Sequence, residues 1–233
     1  MNSHTTTAMT QLSDRDHRII AHVARHRVST NEVVHKLFFS GQQPNAVTKV
    51  TARLYRSGHL RKFPLYHPRF YFRLGLQSIQ MLVVSEHRMR PLGPQSLPIE
   101  FGTLAYATMG ERYHRRLTPQ ELRHSCGWMD ERLLTLPHCL DETGATPVQE
   151  LVRIDLGGRA DHVARKCVSD IQFRSRHDEF RQIVYEKLVR LVVVTGTTEK
   201  AAAIGDSLEG HVWPDGLAVH MAVVPDLLQL TGP

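Results

Sequence analysis

The chain has 233 residues, of which 41% are hydrophobic, and its 29 basic and 23 acidic residues give a formal net charge of +6. This length suits one large domain or two small ones, and the apolar fraction is too high for a disordered protein. The longest apolar runs are far shorter than the ~18 residues that a membrane span needs, and the first residues lack the apolar core of a secretory signal. Three scattered cysteines exclude a disulfide framework. The composition predicts a soluble, cytoplasmic protein with no membrane contact.

The charge is distributed unevenly along the chain. Residues 1–75 hold 12 basic and three acidic residues, a net charge of +9, whereas the remainder holds 17 basic and 20 acidic residues, a net charge of −3. Arginine supplies 23 of the 29 basic residues, and its planar fork suits phosphates and guanine edges. A merely solubilising surface mixes the two signs. The charge pattern therefore predicts that the N-terminal third binds nucleic acid.

Residues 12–60 have the pattern of three short helices. Ser13 and Asp16 form a capping box at the start of the first helix, and we expect Ser29 and Glu32 to do the same for the second. The third helix is expected to begin near Pro44 and to end just before Gly58. Each segment carries an apolar stripe at helical spacing, which predicts a small helical core.

The exposed face of the third helix carries side chains that can contact bases or phosphates, namely Asn45, Thr48, Lys49, Ala52, Arg53 and Arg56. A hairpin with alternating aromatic residues follows, and we expect four of its side chains to contact phosphate: Arg61, Lys62, Arg69 and Arg73. Three helices followed by a basic hairpin are typical of the winged helix-turn-helix. The alternative is a small bundle whose third helix only has a solvated basic face.

The rest of the chain alternates between helix and strand patterns. Residues 89–98 hold three prolines and a glycine, which predicts a linker between a DNA-binding domain with its connecting helix (residues 1–88) and a second domain (residues 99–233). Strands are expected at residues 148–155, 190–195 and 217–224, with helices at 99–109, 160–188 (with a break) and 199–208. The fold class is therefore α+β or α/β, with a partly parallel sheet in the second domain.

The second domain offers one candidate for catalysis. Asp141, Asp155 and Lys166 are the residue types that a magnesium-dependent nuclease uses, because carboxylates hold the metal and a lysine steadies the developing charge. The lysine expected two residues after the second acid is missing, and Asp155 is equally suited to capping a turn. No zinc-binding spacing or phosphate loop is present, so we predict no cofactor and no metal unless the domain is a nuclease.

The layout resembles the replication-relaxation family of plasmid and mobile-element proteins. The N-terminal likeness lies in Leu12-Ser13-Asp14-Arg15-Asp16, in Lys36-Leu37-Phe38-Phe39 and in Gly58-His59-Leu60. The second domain adds Arg153-Ile154-Asp155-Leu156-Gly157-Gly158 and Arg165-Lys166. The resemblance implies a restriction-endonuclease-like fold for the second domain, which some related relaxases use to nick DNA. Arg153 stands where the family pattern has an acid, which implies that this domain has lost cleavage.

These observations predict a sequence-specific double-stranded DNA-binding protein, without enzymatic activity, that acts in plasmid or mobile-element replication, conjugative transfer or its regulation. Two alternatives remain open at this point. One is a metal-dependent nickase or relaxase, and the other is a dimeric transcriptional repressor. The expected partners are double-stranded DNA and, through the C-terminal domain, a second copy of the chain or another protein.

Overall fold

The computed structural model describes residues 11–232, which form a mixed α and β structure of two compact units. Of the described residues, the first unit comprises residues 11–64 and 70–91, and the second comprises residues 65–69 and 92–232. The division after Pro91 falls within the segment expected to be a linker. No helix among the described residues is long and apolar enough to cross a membrane.

Within the described residues, the first unit contains four α-helices, a hairpin and a short 3-10 turn. Its elements are α1 (Asp14–His26), α2 (Asn31–Phe38), α3 (Pro44–Arg56), β1 (Leu60–Tyr66), β2 (Arg69–Leu74), α4 (Leu76–Leu82) and the turn Glu86–Met89. The order of three helices followed by a hairpin is the predicted one. The hairpin tip, residues 65–69, is grouped with the second unit.

Side-chain caps start α1 and α2, whereas α3, which follows Gln43, and α4, which follows Gly75, have none. The box of Ser13 and Asp16 is present at α1 as predicted. The box predicted for α2 is wrong, because Thr30 is the N-cap and accepts a hydrogen bond from the Val33 amide. Ser29 instead exchanges two main-chain hydrogen bonds with Phe72 of β2, which ties the loop before α2 to the hairpin. Ser29 and Phe72 are far apart in sequence, so local capping preferences could not reveal that they pair.

An apolar cluster holds the described part of the first unit together. Its buried members come from all the helices and from both strands: Ile19, Ile20, Val23, Val34, Phe39, Val47, Leu54, Leu60, Phe72, Leu74 and Ile79. The connecting helix α4 ends at Leu82, and the next residue, Val83, adopts a left-handed conformation with φ of 51°. The shared core therefore packs α3 together with residues of both hairpin strands.

The second unit is built on a five-stranded sheet of order β3-β4-β5-β6-β7. Its strands are β3 (Arg115–Arg116), β4 (His138–Asp141), β5 (Val148–Ile154), β6 (Val189–Thr195) and β7 (Ala218–Val223). Its helices are α5 (Ser96–Met109), α6 (Pro119–Ser125), α7 (Glu131–Leu134), α8 (Ala160–Arg174), α9 (Asp178–Tyr185), α10 (Thr198–Glu209) and α11 (Leu228–Thr231), and a 3-10 turn, Pro225–Leu227, precedes α11.

The first three strands pair antiparallel and the last three parallel. Helices α8 and α9 connect β5 to β6, and α10 connects β6 to β7, as parallel neighbours require. The expected break in the helix of residues 160–188 separates α8 from α9. The partly parallel sheet is thus present. Asp141 ends β4 opposite the start of β5, whereas Asp155 follows the far end of β5, so the two acids lie at opposite ends of that strand.

Candidate functional site

The outer face of α3 presents polar and basic side chains to solvent. Asn45, Thr48, Lys49, Ala52 and Arg56 are all exposed. At 100° per residue these positions fall on one side of the helix, opposite the buried Val47, Thr51 and Leu54. The Thr51 hydroxyl donates to Asn31 Oδ1 of α2 at 3.0 Å, which fixes the rotation of α3 against α2. The predicted face is therefore held outward by the core behind it.

Arg53 differs from the other predicted members of this face. Its Nη2 lies 2.6 Å from Asp16 Oδ1, and the Asp16 side chain is 1% exposed while that of Arg53 is 35% exposed. Burial alone would raise the pKa of Asp16, but hydrogen bonds from Arg53 and Ser13 outweigh burial and hold that pKa below its ordinary value. Arg53 thus holds α3 against the start of α1, with only part of its side chain at the surface.

The four hairpin residues predicted to contact phosphate lie in different surroundings. Arg61 and Lys62 on β1 are exposed, and the Lys62 ammonium lies 3.7 Å from the ring centroid of Phe70. Arg69 donates to Tyr66 Oη at 2.7 Å and forms an ion pair with Asp226, all within the second unit. The assignment of Arg73 to phosphate is wrong, because its side chain is 2% exposed and donates to the main-chain oxygen of Arg90.

A buried acidic centre lies in the second unit, at the start of β5. Glu150 is fully buried, and its Oε1 accepts hydrogen bonds from Tyr106 Oη at 2.7 Å and from Arg190 Nε at 2.9 Å. Arg190 Nη2 lies 2.5 Å from Asp141 Oδ2 and also contacts Glu150. His114 Nδ1 faces Glu150 Oε2 at 3.0 Å. One arginine from β6 therefore joins two carboxylates from neighbouring strands.

The electrostatics of this centre favour charged carboxylates. Burial would raise the pKa of Asp141, but hydrogen bonds from Thr143 and Arg190 reverse the direction and hold the pKa well below its ordinary range. The pKa of Glu150 is likewise lowered, because the nearby His114 and the hydrogen bonds from Tyr106 and Arg190 outweigh its burial. Burial and the Glu150 carboxylate raise the pKa of Tyr106, which keeps the phenol protonated as a donor.

The same three side chains have the composition of a divalent-metal site. His114, Asp141 and Glu150 each offer a ligand atom, and these atoms lie within 4.8 Å of one another. However, the Arg190 guanidinium already bonds to both carboxylates, and it carries the positive charge that a metal ion would bring. Two residues after Glu150 stands the buried Val152, where a nuclease would place its lysine. The residues present therefore do not fit a catalytic magnesium ion.

The three predicted catalytic residues are not brought together. Asp155 and Lys166 line one cleft of about 290 Å³, together with His162. Asp155 is buried and accepts hydrogen bonds from the Gly157 amide at 3.0 Å and from Thr195 Oγ1 at 3.1 Å, which is the turn-capping role. Asp141 of β4 pairs with Val148, which stands seven residues before Asp155, so the two acids are separated by roughly 23 Å along the strand direction. The prediction of one site that uses both Asp141 and Asp155 is therefore wrong.

Sequence reasoning missed Glu150, Arg190 and His114. One signal was present, because Glu150 stands nine residues after Asp141 and β4 and β5 form an antiparallel pair that can place both acids at one end. Glu150 and Arg190 are also direct neighbours in the parallel register of β5 and β6. Without that register, an acid and an arginine 40 residues apart give no sign of contact.

The chain was compared with protein-family models, with curated proteins and with solved structures. None of the three comparisons found a match.

Proposed function

We propose that the protein binds double-stranded DNA through the outer face of α3 and the exposed basic residues of its hairpin. The observation that carries this proposal is the outward face of Asn45, Thr48, Lys49, Ala52 and Arg56, fixed in place by the core. No acidic residue stands anywhere between Glu32 and Glu86, so no carboxylate of this segment opposes a phosphate backbone. A solvated helix face in an ordinary domain mixes charges of both signs.

The arrangement suits a winged helix-turn-helix on duplex DNA. A helix of the length of α3 fits the major groove, where Asn45 and Arg56 can read base edges and Lys49 can neutralise a phosphate. Arg61 and Lys62 on the hairpin would contact the flanking backbone. Arg53 stabilises the position of α3 through Asp16, so its contribution to base reading is indirect.

We further propose that the second unit is a nuclease-like domain that does not cleave DNA. The order of a helix, three antiparallel strands and a helical crossover to parallel strands is consistent with the restriction-endonuclease-like fold that the family resemblance implies. Its acid pair is neutralised by Arg190, and Val152 replaces the lysine. The same resemblance is the basis for placing the protein in the replication, transfer or regulation of a plasmid or mobile element.

Two experiments test duplex binding. The first identifies the DNA sequence that the protein binds, and the second introduces a negative charge on α3. Selection from a random pool of duplexes gives the site, and its symmetry gives the number of bound copies. Ala52→Glu puts a carboxylate in the centre of the proposed face, and we expect affinity to fall about tenfold or more. Ala202→Glu makes the same change at an exposed position of α10 and should leave affinity unchanged. Equal affinities for the two variants would contradict docking through α3.

The nickase is the alternative to be tested, because His114, Asp141 and Glu150 have the composition of a metal site even though Arg190 bonds to both carboxylates. Supercoiled plasmid incubated with Mg²⁺ or Mn²⁺ distinguishes the two functions, since we expect no conversion to the open circle. Nicking by the wild type that is lost in Glu150→Gln would contradict the non-cleaving proposal and establish the nuclease.

A transcriptional repressor and a replication or transfer protein differ in where they bind. Footprinting on the DNA that carries this gene, guided by the selected site, separates them. Protection of repeats at an origin supports the proposal, whereas protection confined to a promoter supports the repressor.

A further inference from the structure

The two edges of the sheet in the second unit are built very differently. The β3 edge is two residues long, and both are arginine, which is a usual protection against pairing with another chain. The β7 edge runs for six residues, Ala218–Val223, and holds no lysine, arginine, acidic residue or proline; its polar side chain is that of His220. None of these six residues is buried. An open edge of this length without lysine, proline or acidic residues is uncommon in a protein that stays monomeric.

The hydrogen bonds of β7 to β6 show which main-chain groups face outward. The Val224 amide donates to the Thr195 oxygen at 2.8 Å, and Thr195 is in register with Val223. Alternate residues of a strand direct their main-chain groups to opposite sides. The amides and carbonyls of Val219, Met221 and Val223 therefore point away from β6. Within residues 11–232 these outward groups have no hydrogen-bond partner.

We propose that β7 is the interface at which a second copy of this chain adds its own β7, antiparallel, around a two-fold axis at Met221. The axis must stand perpendicular to the sheet if both copies are to keep the same face toward their helices. Met221 then pairs with the partner's Met221, and Val219 pairs with the partner's Val223. In this register every outward amide and carbonyl of the three residues gains a partner, and the two sheets join into one.

A second copy fits this edge better than an unrelated strand for two reasons. The strand holds no lysine, arginine or acidic residue, so no such charge meets its like across the axis. Val219 and Met221 already pack on the apolar core, so pairing extends that core across the axis. A two-fold dimer would also carry two DNA-binding units, as a palindromic site requires. The interface is independent of the proposed DNA binding, because a monomer could still bind a single half-site.

Cysteine cross-linking tests the register directly. In Met221→Cys the two Cα atoms would lie about 5.5 Å apart across the axis, within the ~4.4–6.8 Å span of a disulfide. In Val219→Cys, on the same strand face, the two copies of residue 219 would lie four residues apart, or about 13 Å, which is too far. The three native cysteines are buried and give little background.

We expect mild oxidation of dilute protein to link Met221→Cys into a covalent dimer and to leave Val219→Cys and the wild type unlinked on non-reducing gels. Equal linking of both variants, or of neither, would overturn the register. Sedimentation of the wild type should give twice the monomer mass, and Met221→Lys should sediment as a folded monomer because two ammonium groups would meet at the axis. A monomeric wild type, or a dimeric Met221→Lys, would overturn the interface itself. Neither result would bear on whether the first unit binds DNA.

Discussion

Removing Arg190 tests the electrostatic account of the second unit most severely. Arg190→Met keeps the length and the apolar stem of the side chain but leaves the fully buried Glu150 and the buried Asp141 without their shared cation. Breaking a buried pair by removing one partner costs about 3–5 kcal/mol, which is a large fraction of the ~5–15 kcal/mol that stabilises a typical domain. We therefore expect the second unit of this variant to be barely stable at neutral pH.

The assay uses denaturant unfolding followed by tryptophan fluorescence. Both tryptophans, Trp128 and Trp213, belong to the second unit, so the signal reports that unit alone. Arg181→Met is the matched control, because Arg181 is exposed and its ion-pair partner, Asp178, is exposed as well. A surface pair of this kind contributes about 0–1 kcal/mol.

The pH dependence gives an independent check. In the wild type the pKa of Glu150 is lowered, so its stabilising effect is present above its unfolded-state pKa and is lost as pH falls through the folded pKa. Without Arg190 the buried carboxylate has its pKa raised, and protonation at acid pH relieves the unpaired charge. The stability difference between wild type and Arg190→Met should therefore shrink as pH falls. A loss below about 1 kcal/mol at neutral pH, or a difference that does not vary with pH, would refute the reasoning.

Three further predictions concern the first unit. Arg53→Ala should destabilise the first unit by about 1.5–3 kcal/mol, because the buried Asp16 loses a charged hydrogen-bond donor. Hydrogen exchange of the α1 and α3 amides should become faster. Unchanged exchange would mean that the ion pair contributes nothing to stability. Burial lowers the pKa of His22 to about 4. The free energy of unfolding should therefore fall by up to about 3 kcal/mol as pH drops from about 6.5 to 4, and then level off. The same decline in His22→Phe would rule His22 out as its cause. In Gly75→Ala the new Cβ would lie 2.1 Å from a main-chain oxygen, so thermal unfolding should occur at a clearly lower temperature, whereas Gly93→Ala, with nothing within 4 Å, should match the wild type.

The sequence predicted the helices of the first unit and the outward face of α3 well, because an amphipathic helix encodes its buried side at a fixed spacing. The exposure of Lys49 and Arg56 follows from that periodicity alone. The interactions that the sequence did not reveal are those between distant positions. Arg53 meets Asp16 across 37 residues, and the type of residue gives no sign of whether an arginine faces DNA or an acid of its own chain.

The second unit shows the same limit for strands. The parallel strands β6 and β7 were predictable from their apolar runs and intervening helix, but the pairing register was not. In that register Glu150 lies beside Arg190, near the start of β5, whereas Asp155 follows the opposite end of the same strand. A candidate site assembled from motif-like acids therefore combined two separate places in the fold. Strand registers depend on tertiary packing, which a local pattern does not contain.

The salt dependence of duplex binding tests the central claim most directly. Affinity for the selected duplex is measured across a salt series for the wild type, for Lys49→Ala on α3, for Lys62→Ala on the hairpin and for the control Arg112→Ala, an exposed arginine of the second unit. We expect a steep log–log slope, about −0.9 for each phosphate neutralised, that becomes shallower by about one for each lysine variant and is unchanged in the control. An affinity that barely changes between about 50 and 200 mM salt, or a slope that responds equally to all three variants, would contradict DNA binding through this surface.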